Sequence, residues 1–485
     1  MSKLTKKKTT KSKKAAKRRR SLILKALILL IMIAILIVGI VFLVKELSRD
    51  YIDDPDNQGN NATVTPTDIP GESDEDKAKE EKERVMAEAD RLAMSYDYDG
   101  AIALIQSIEG EEPDAELYAK VQKYEEEKSK LVPVNIDEVT HIFYHSLVVD
   151  PELGFAGNDS IAAGFKQWMT TVDEFNKITQ TMYDNGFVLV SIRDLVVETT
   201  DENGNVHFVK NENLLLPAGK KAYVLSLDDL SYYHSYDNRG IATKMILDEN
   251  GKPTCEYVQK DGSTITGAYD CVPLLDQFVE AHPDASYKGA KGIIAMTGYN
   301  GVLGYRTDIA YKTGENLTWD QKAWLDKHPD FNWDNECAEA KKVADAIKAN
   351  GWEFASHTWG HVAVGSASLE RIKTDTGKWK SYVEPIVGET DIIVFAHGED
   401  IGNWRGYSAD NEKFQYLKSE GFNYFCNVDS TQYYLQIRDN YVRMGRRNLD
   451  GYRLWNDVHK DVNLLTDLFD ASEILDPKRT DMPSL

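Results

Sequence analysis

The sequence predicts an α/β fold, a parallel sheet or a barrel built from β/α units, preceded by a transmembrane helix and a small all-α spacer. Three observations predict it. From Val132 onward, short apolar strands alternate with helical segments. Between about Lys77 and Lys130 the apolar residues instead recur at helical spacing. Ahead of both, residues 26–44 read ALILLIMIAILIVGIVFLV, an unbroken apolar run behind a dense basic block.

At 485 residues the chain is long enough for more than one folded unit. Its composition, 42% hydrophobic and 28% charged, excludes a wholly disordered chain and a multispanning membrane protein. The net charge of −22 is unevenly spread: residues 1–20 carry eleven Lys or Arg and no acid. With those and Lys25 set aside, 45 basic groups face 79 acidic ones over 26–485, a net −34. That part of the chain repels polyanions, so nucleic acid is not an expected partner.

The elements follow in order. Residues 1–21 form a basic tail. Residues 22–44 are close to the roughly 20 apolar residues that cross a bilayer. The positive-inside rule keeps the tail cytoplasmic and sends the carboxyl end outward. The run ends in VKELSRDY, without the small-residue site of a cleaved signal peptide, so an uncleaved anchor is expected. Residues 45–75, rich in Asp, Asn, Pro, Thr and Gly, read as a solvated linker. Residues 76–131 read as three helices, with a turn at Asp97–Gly100, in a tetratricopeptide-like spacer.

Residues 132–485 form the β/α part. Its expected strands are His141–Tyr144, Phe187–Val190, Ala222–Leu225, Gly292–Met296, Trp352–Ala355 and Ile392–Phe395. Helices are expected at Phe175–Asn185 and Cys337–Ala349, an insertion between about Ser235 and Lys288 with a hairpin at Asp261-Gly262, and a helical tail after Asp461. The four cysteines lack CxxC spacing, which excludes a zinc ribbon. Cys255 and Cys271 read equally as a local disulfide or as buried thiols.

Barrel chemistry sits where strands end, and three ends are polar. Asp228-Asp229 follows AYVL; alone, such a pair more often caps a turn. His357 and His361 follow WEFA; if they begin a helix, their imidazoles share a face and converge on one ion. Two imidazoles and a carboxylate, with a position left for water, form the ligand set of a hydrolytic zinc site. The third end is Ala396-His397-Gly398-Glu399-Asp400.

In this order the motifs resemble the polysaccharide deacetylase family, the NodB-homology or family 4 carbohydrate esterases, over about 135–450. Ser226-Leu227-Asp228-Asp229-Leu230 stands where that family has Thr-Phe-Asp-Asp-Gly, and His357-Thr358-Trp359-Gly360-His361 is similar to its His-Ser/Thr-x-x-His. Tyr144-His145 matches one branch. The resemblance implies a distorted (β/α) barrel that removes acetyl groups from peptidoglycan, chitin-like or xylan polymers. It implies metal ligands Asp229, His357 and His361, a divalent ion such as Zn2+, and Asp228 as general base. Tyr144, His145, Trp359 and Gly398 are then expected at the substrate, and a backbone N–H beyond Phe395 at the oxyanion.

Two family features are missing from the linear pattern. The third motif's Arg is absent, with Arg443 or Arg405 as stand-ins, and the late catalytic His has no match, which leaves His397 for the acid. RMGRRNLDGYR, 443–453, reads equally as a basic groove or a solvated turn. The sequence therefore supports an anchored extracellular deacetylase of an envelope polysaccharide, with a catalytically impaired glycan- or protein-binding relative as the alternative.

Overall fold

The computed structural model describes residues 74–108, 114–460 and 462–484, all within one compact unit, Asp74–Leu485. The basic tail, the apolar run and all but the end of the linker lie outside the described residues. Among the described residues no helix is long and apolar enough to cross a membrane.

Three helices open the unit: α1 (Asp74–Met94), α2 (Tyr98–Gln106) and α3 (Ala115–Ser129). Asp97 and Asp114 cap α2 and α3 by accepting backbone N–H bonds from the first turns. The helices bury a core of their own, including Val85, Ala89, Ile105, Leu117 and Tyr124. They also dock on the barrel. Tyr96 Oη donates to Asp284 O (2.8 Å), and the Lys288 backbone N–H donates to Ser95 O (2.7 Å).

Nine strands form the main sheet: β1 (Thr140–Tyr144), β2 (Phe187–Leu189), β3 (Lys221–Asp228), β4 (Ile293–Met296), β5 (Glu353–Ser356), β6 (Ile392–Val394), β7 (Tyr424–Val428), β8 (Leu435–Arg438) and β9 (Tyr441–Asn448). Seven of them close in parallel, in the order β4-β5-β6-β7-β9-β1-β3 and back to β4. The ring is distorted. β2 shares one edge of β3 with β4, β8 pairs antiparallel outside β9, and β5 meets β6 at a single residue pair, Ser356 with Ile393. Asp284 and Lys288 precede β4, so the three helices meet the barrel where β4 starts, leaving the end where it stops free.

Alternation along the strands fills the interior with Val188, Val224, Ala295, Ala355, Val394, Cys426, Val442 and Met444. The opposite faces pack outward onto α4 (Val172–Asp184), α5 (Cys271–Ala281) and α6 (Trp333–Ala349) through Phe175, Ile178, Leu275 and Val343. All six expected strands are present within a few residues. β7 and β9 were not expected. β9 covers the first part of the basic run, and that part is neither a groove nor a solvated turn: Arg443, Arg446 and Arg447 are buried. The insertion holds a three-stranded antiparallel sheet, with Gly262 in its hairpin turn at φ +84°. Cys255 and Cys271 are buried free thiols. The tail is not helical as expected. Among its described residues it holds one four-residue helix, Ala471–Ile474, and the others form turns, bends and irregular chain.

Candidate metal centre

β3 ends in Asp228, and the next residue, Asp229, takes left-handed backbone at φ +59°. β5 ends in Ser356. The segment after it is a turn, not the expected helix, with Thr358 at φ +63° and His361 at φ +49°. The two imidazoles therefore meet through backbone reversal, not helical spacing, with ring centres 5.1 Å apart. Thr358 Oγ1 pins the turn by accepting from Val362 N (2.7 Å). Left-handed backbone costs a non-glycine residue about 1 kcal/mol or more and clusters where geometry serves function. His397 (φ +57°) adds a further case beside the same site.

One ligand atom each from Asp229, His357 and His361 lies within 4.8 Å of the other two. His357 Nδ1 stands 2.8 Å from Val394 O, which fixes it as the donor and leaves Nε2 with its lone pair. Asp229 Oδ2 is 3.4 Å from His361 Nε2, and Asp229 Oδ1 accepts from Tyr233 Oη at 2.7 Å. Burial pushes the Asp229 carboxyl up, but His361 and His357 outweigh it and hold it below the usual carboxylate range. Burial, the largest influence on His361, draws it below the usual imidazole range against the pull of Asp229.

Asp228 is buried and held by an arginine that the motifs did not reveal. Arg446 Nη1 and Nη2 donate to its Oδ1 and Oδ2 at 2.7 and 3.0 Å. The guanidinium, fully buried, lies over the Phe143 ring at 4.2 Å and also donates to Ser226 Oγ, which bonds His141 Nε2 at 3.0 Å. Burial alone would raise the Asp228 carboxyl. The Arg446 charge, with His357 behind it, carries it well below the usual range. His141 is held neutral by burial and by the same arginine.

Asp228, His357 and His361 line a pocket of about 520 Å³, together with His145, His397, Gly398, Trp168, Asp450 and Tyr452. His397 Nε2 lies 3.1 Å from His361 O. Gly398 is at φ +69°, and a Cβ there would come 2.8 Å from Val428 Cβ. Two expected substrate residues are elsewhere. Tyr144 is a core residue, packed edge-on to Phe175, because the strand alternation turns it outward while Phe143 faces the barrel axis. Trp359 packs on Gly298 under Lys378 Nζ (4.1 Å), away from the pocket lining. Leu230, where the first motif's Gly was expected, is fully buried in the core. The proposed stand-ins for the missing arginine do not reach Asp228: Arg443 points outside the barrel to Asp400, and its Nη1 caps the carbonyl of Arg405. Sequence reasoning missed Arg446, Asp450, Trp168 and Tyr452. The signal for Arg446 was the alternation Val442-Met444-Arg446, which puts it on the apolar inward face of β9.

No protein-family model matches the chain, and no curated protein matches it. Among solved structures it is similar to the Streptococcus pyogenes deacetylase PplD in complex with acetate, at 15% identity and a TM-score of 0.32, over 66% of this chain and 94% of that one.

Proposed function

We propose that the chain is a metal-dependent deacetylase that hydrolyses acetyl groups on a cell-envelope or extracellular polysaccharide, such as peptidoglycan or an N-acetylglucosamine polymer. The observation that carries this reading is the convergence of Asp229, His357 and His361 at strand ends beside the arginine-clamped Asp228, with Asp228 and both histidines lining one pocket. The donor set fits a divalent cation, Zn2+ first. Bonds of about 2.0–2.2 Å put neighbouring ligand atoms of a tetrahedral site roughly 3.4 Å apart, and Asp229 Oδ2 and His361 Nε2 have that separation, 3.4 Å. Such an ion, when bound, polarises the acetyl carbonyl and acidifies a water.

The chain's own groups supply the rest. Asp228 accepts the proton of the attacking water. Arg446 keeps it ionised and fixes its orientation, and each of its oxygens retains a second lone pair for that water. His145 lines the same pocket, with its Nδ1 buried and unpartnered. It donates the proton to the departing sugar nitrogen, and Asp450, a buried carboxyl, lines the same pocket. His397, the acid expected from sequence, lines the same pocket with its Nε2 3.1 Å from His361 O; the buried, unpartnered Nδ1 is what favours His145 over it. The impaired-relative alternative drew on a missing arginine and a missing acid. Arg446 supplies an arginine on Asp228, and His145 in the pocket lining offers an acid, which supports the active reading.

The basic block and apolar run support a single-pass anchor with the pocket-bearing unit outside the cell. The test is acetate release by the full chain from an N-acetylglucosamine polymer and from peptidoglycan, after metal stripping and again with Zn2+. Release is expected only with metal, and Asp228→Asn should stop it while metal stays bound. A metal-loaded chain that releases acetate from neither polymer refutes the proposal.

A further inference from the structure

The helix Ser160–Trp168 ends with its polarity inverted. Lys166 and Gln167 are buried, while the next residue, Trp168, is 40% exposed into the pocket. An indole left in water beside a buried ammonium and a buried amide runs against the burial preferences of all three side chains. The inversion is built by the chain's last residues. Lys166 Nζ donates to Asp481 (2.7 Å), and Gln167 Nε2 donates to the carbonyls of Pro483 and Ser484 (3.2 Å each). Arg479, fully buried, donates to the carbonyls of Lys166 and Met169 on either side of Trp168 and to both oxygens of Glu174.

The same clasp positions the neighbouring part of the pocket. Thr170 Oγ1 donates to Leu449 O (2.8 Å), and a Cβ on Gly451 would run into Lys166 O and Arg479. That close approach brings Tyr452, one residue on, beside Trp168. The two rings lie 6.1 Å apart at 37° and both line the pocket. Next to them Asn448, Asp450 and Arg453 form a linked polar set: Asn448 Nδ2 donates to Asp450 Oδ2 (2.6 Å), and Arg453 Nη2 donates to Asn448 Oδ1 (2.9 Å). An aromatic face with planar polar groups at its edge matches a pyranose, which offers an apolar C–H face and a rim of hydroxyls.

We propose that Trp168 and Tyr452 form a stacking subsite for a second sugar ring, beside the one whose acetyl group faces the metal triad. The site thus takes an oligosaccharide in preference to a single acetylated residue. This rests on the deacetylase reading for what happens at the triad, but the subsite can be tested without it.

The full chain, wild type and Trp168→Ala, is assayed on an N-acetylglucosamine tetramer and on a small aryl acetate. The ratio of kcat/KM for the tetramer to that for the ester is expected to fall about tenfold, carried by KM, since a stacked ring contributes on the order of a tenfold factor. Trp168→Phe should recover most of it, which separates stacking from a folding defect. An unchanged ratio in Trp168→Ala overturns the subsite. If the chain releases acetate from nothing, calorimetric titration with the tetramer decides. Binding weakened about tenfold by Trp168→Ala supports the subsite, and no binding to wild type, or equal binding to both, refutes it while leaving the failure of the deacetylase reading separately recorded.

Discussion

Replacing Arg446 by Met should convert Asp228 from a stabilising group into a destabilising one, and the pH dependence of stability reports the change. In the wild type the carboxylate is buried and doubly bonded to a fully buried guanidinium, at 2.7 and 3.0 Å. Two unit charges with centres about 4 Å apart, at an effective dielectric of about 20, attract by about 4 kcal/mol. Breaking one side of a buried pair costs about 3–5 kcal/mol, because the remaining charge stays buried without its partner. The sign follows from linkage. The folded pKa of Asp228 lies below its unfolded value, so its contribution is complete at neutral pH and is lost only as pH falls through the acid range below about 4. In Arg446→Met the main opposing charge is gone, and burial, the largest influence on this carboxyl, raises its pKa against the weaker pull of His357. Acidification from pH 7 should then stabilise the variant, so the gap to wild type narrows as pH falls. The assay is urea unfolding of both proteins at several pH values from 7 to 4. A gap under about 1 kcal/mol at pH 7, or one that stays constant with pH, would show that Arg446 does not govern Asp228.

Three further outcomes follow from the same geometry. Zn2+ should raise the unfolding temperature of the wild type and a chelator should reverse it, with both effects absent in His357→Ala/His361→Ala; an equal shift in that variant would place the ion elsewhere. Tyr233→Phe removes the 2.7 Å bond to Asp229 Oδ1 and should weaken metal binding about 10–100-fold in a competition titration, with little change in the fold. Asp270, fully buried, caps α5 and accepts from Leu147 N just beyond His145; burial pushes its carboxyl up to about 6 from 3.8. A raised acid pKa means the folded state holds the proton more tightly, so stability should fall as pH rises from about 4 through 6, by at most about 3 kcal/mol. Asp270→Asn should flatten that slope, and an unchanged slope would assign it to another group.

Much of the barrel was legible because its strands are buried on both faces and read as continuous apolar runs. β2 to β6 stand out in that way. β7 and β9 do not: Tyr424-Phe425-Cys426-Asn427-Val428 is interrupted by Asn427, and β9 carries three buried arginines whose partners, Asp228, Asp400 and Asp467, lie outside the strand. Charge pairing of that kind leaves no local trace, so the run looked solvated. His357 and His361 were legible as a pair, yet their spacing suggested a helix where the chain makes a left-handed turn, since four-residue spacing is compatible with either.

The amino-acid sequence alone determined the alternation that makes a parallel barrel and the identity of the residues able to ligate a cation at its strand ends, because periodicity and side-chain chemistry are local properties. Only the tertiary structure decided which arginine governs Asp228, that Tyr144 belongs to the core, and that the chain's last residues hold Trp168 at the pocket. Those outcomes depend on which faces meet when the ring closes, and ring closure joins segments hundreds of residues apart, whose contacts no stretch of sequence encodes by itself.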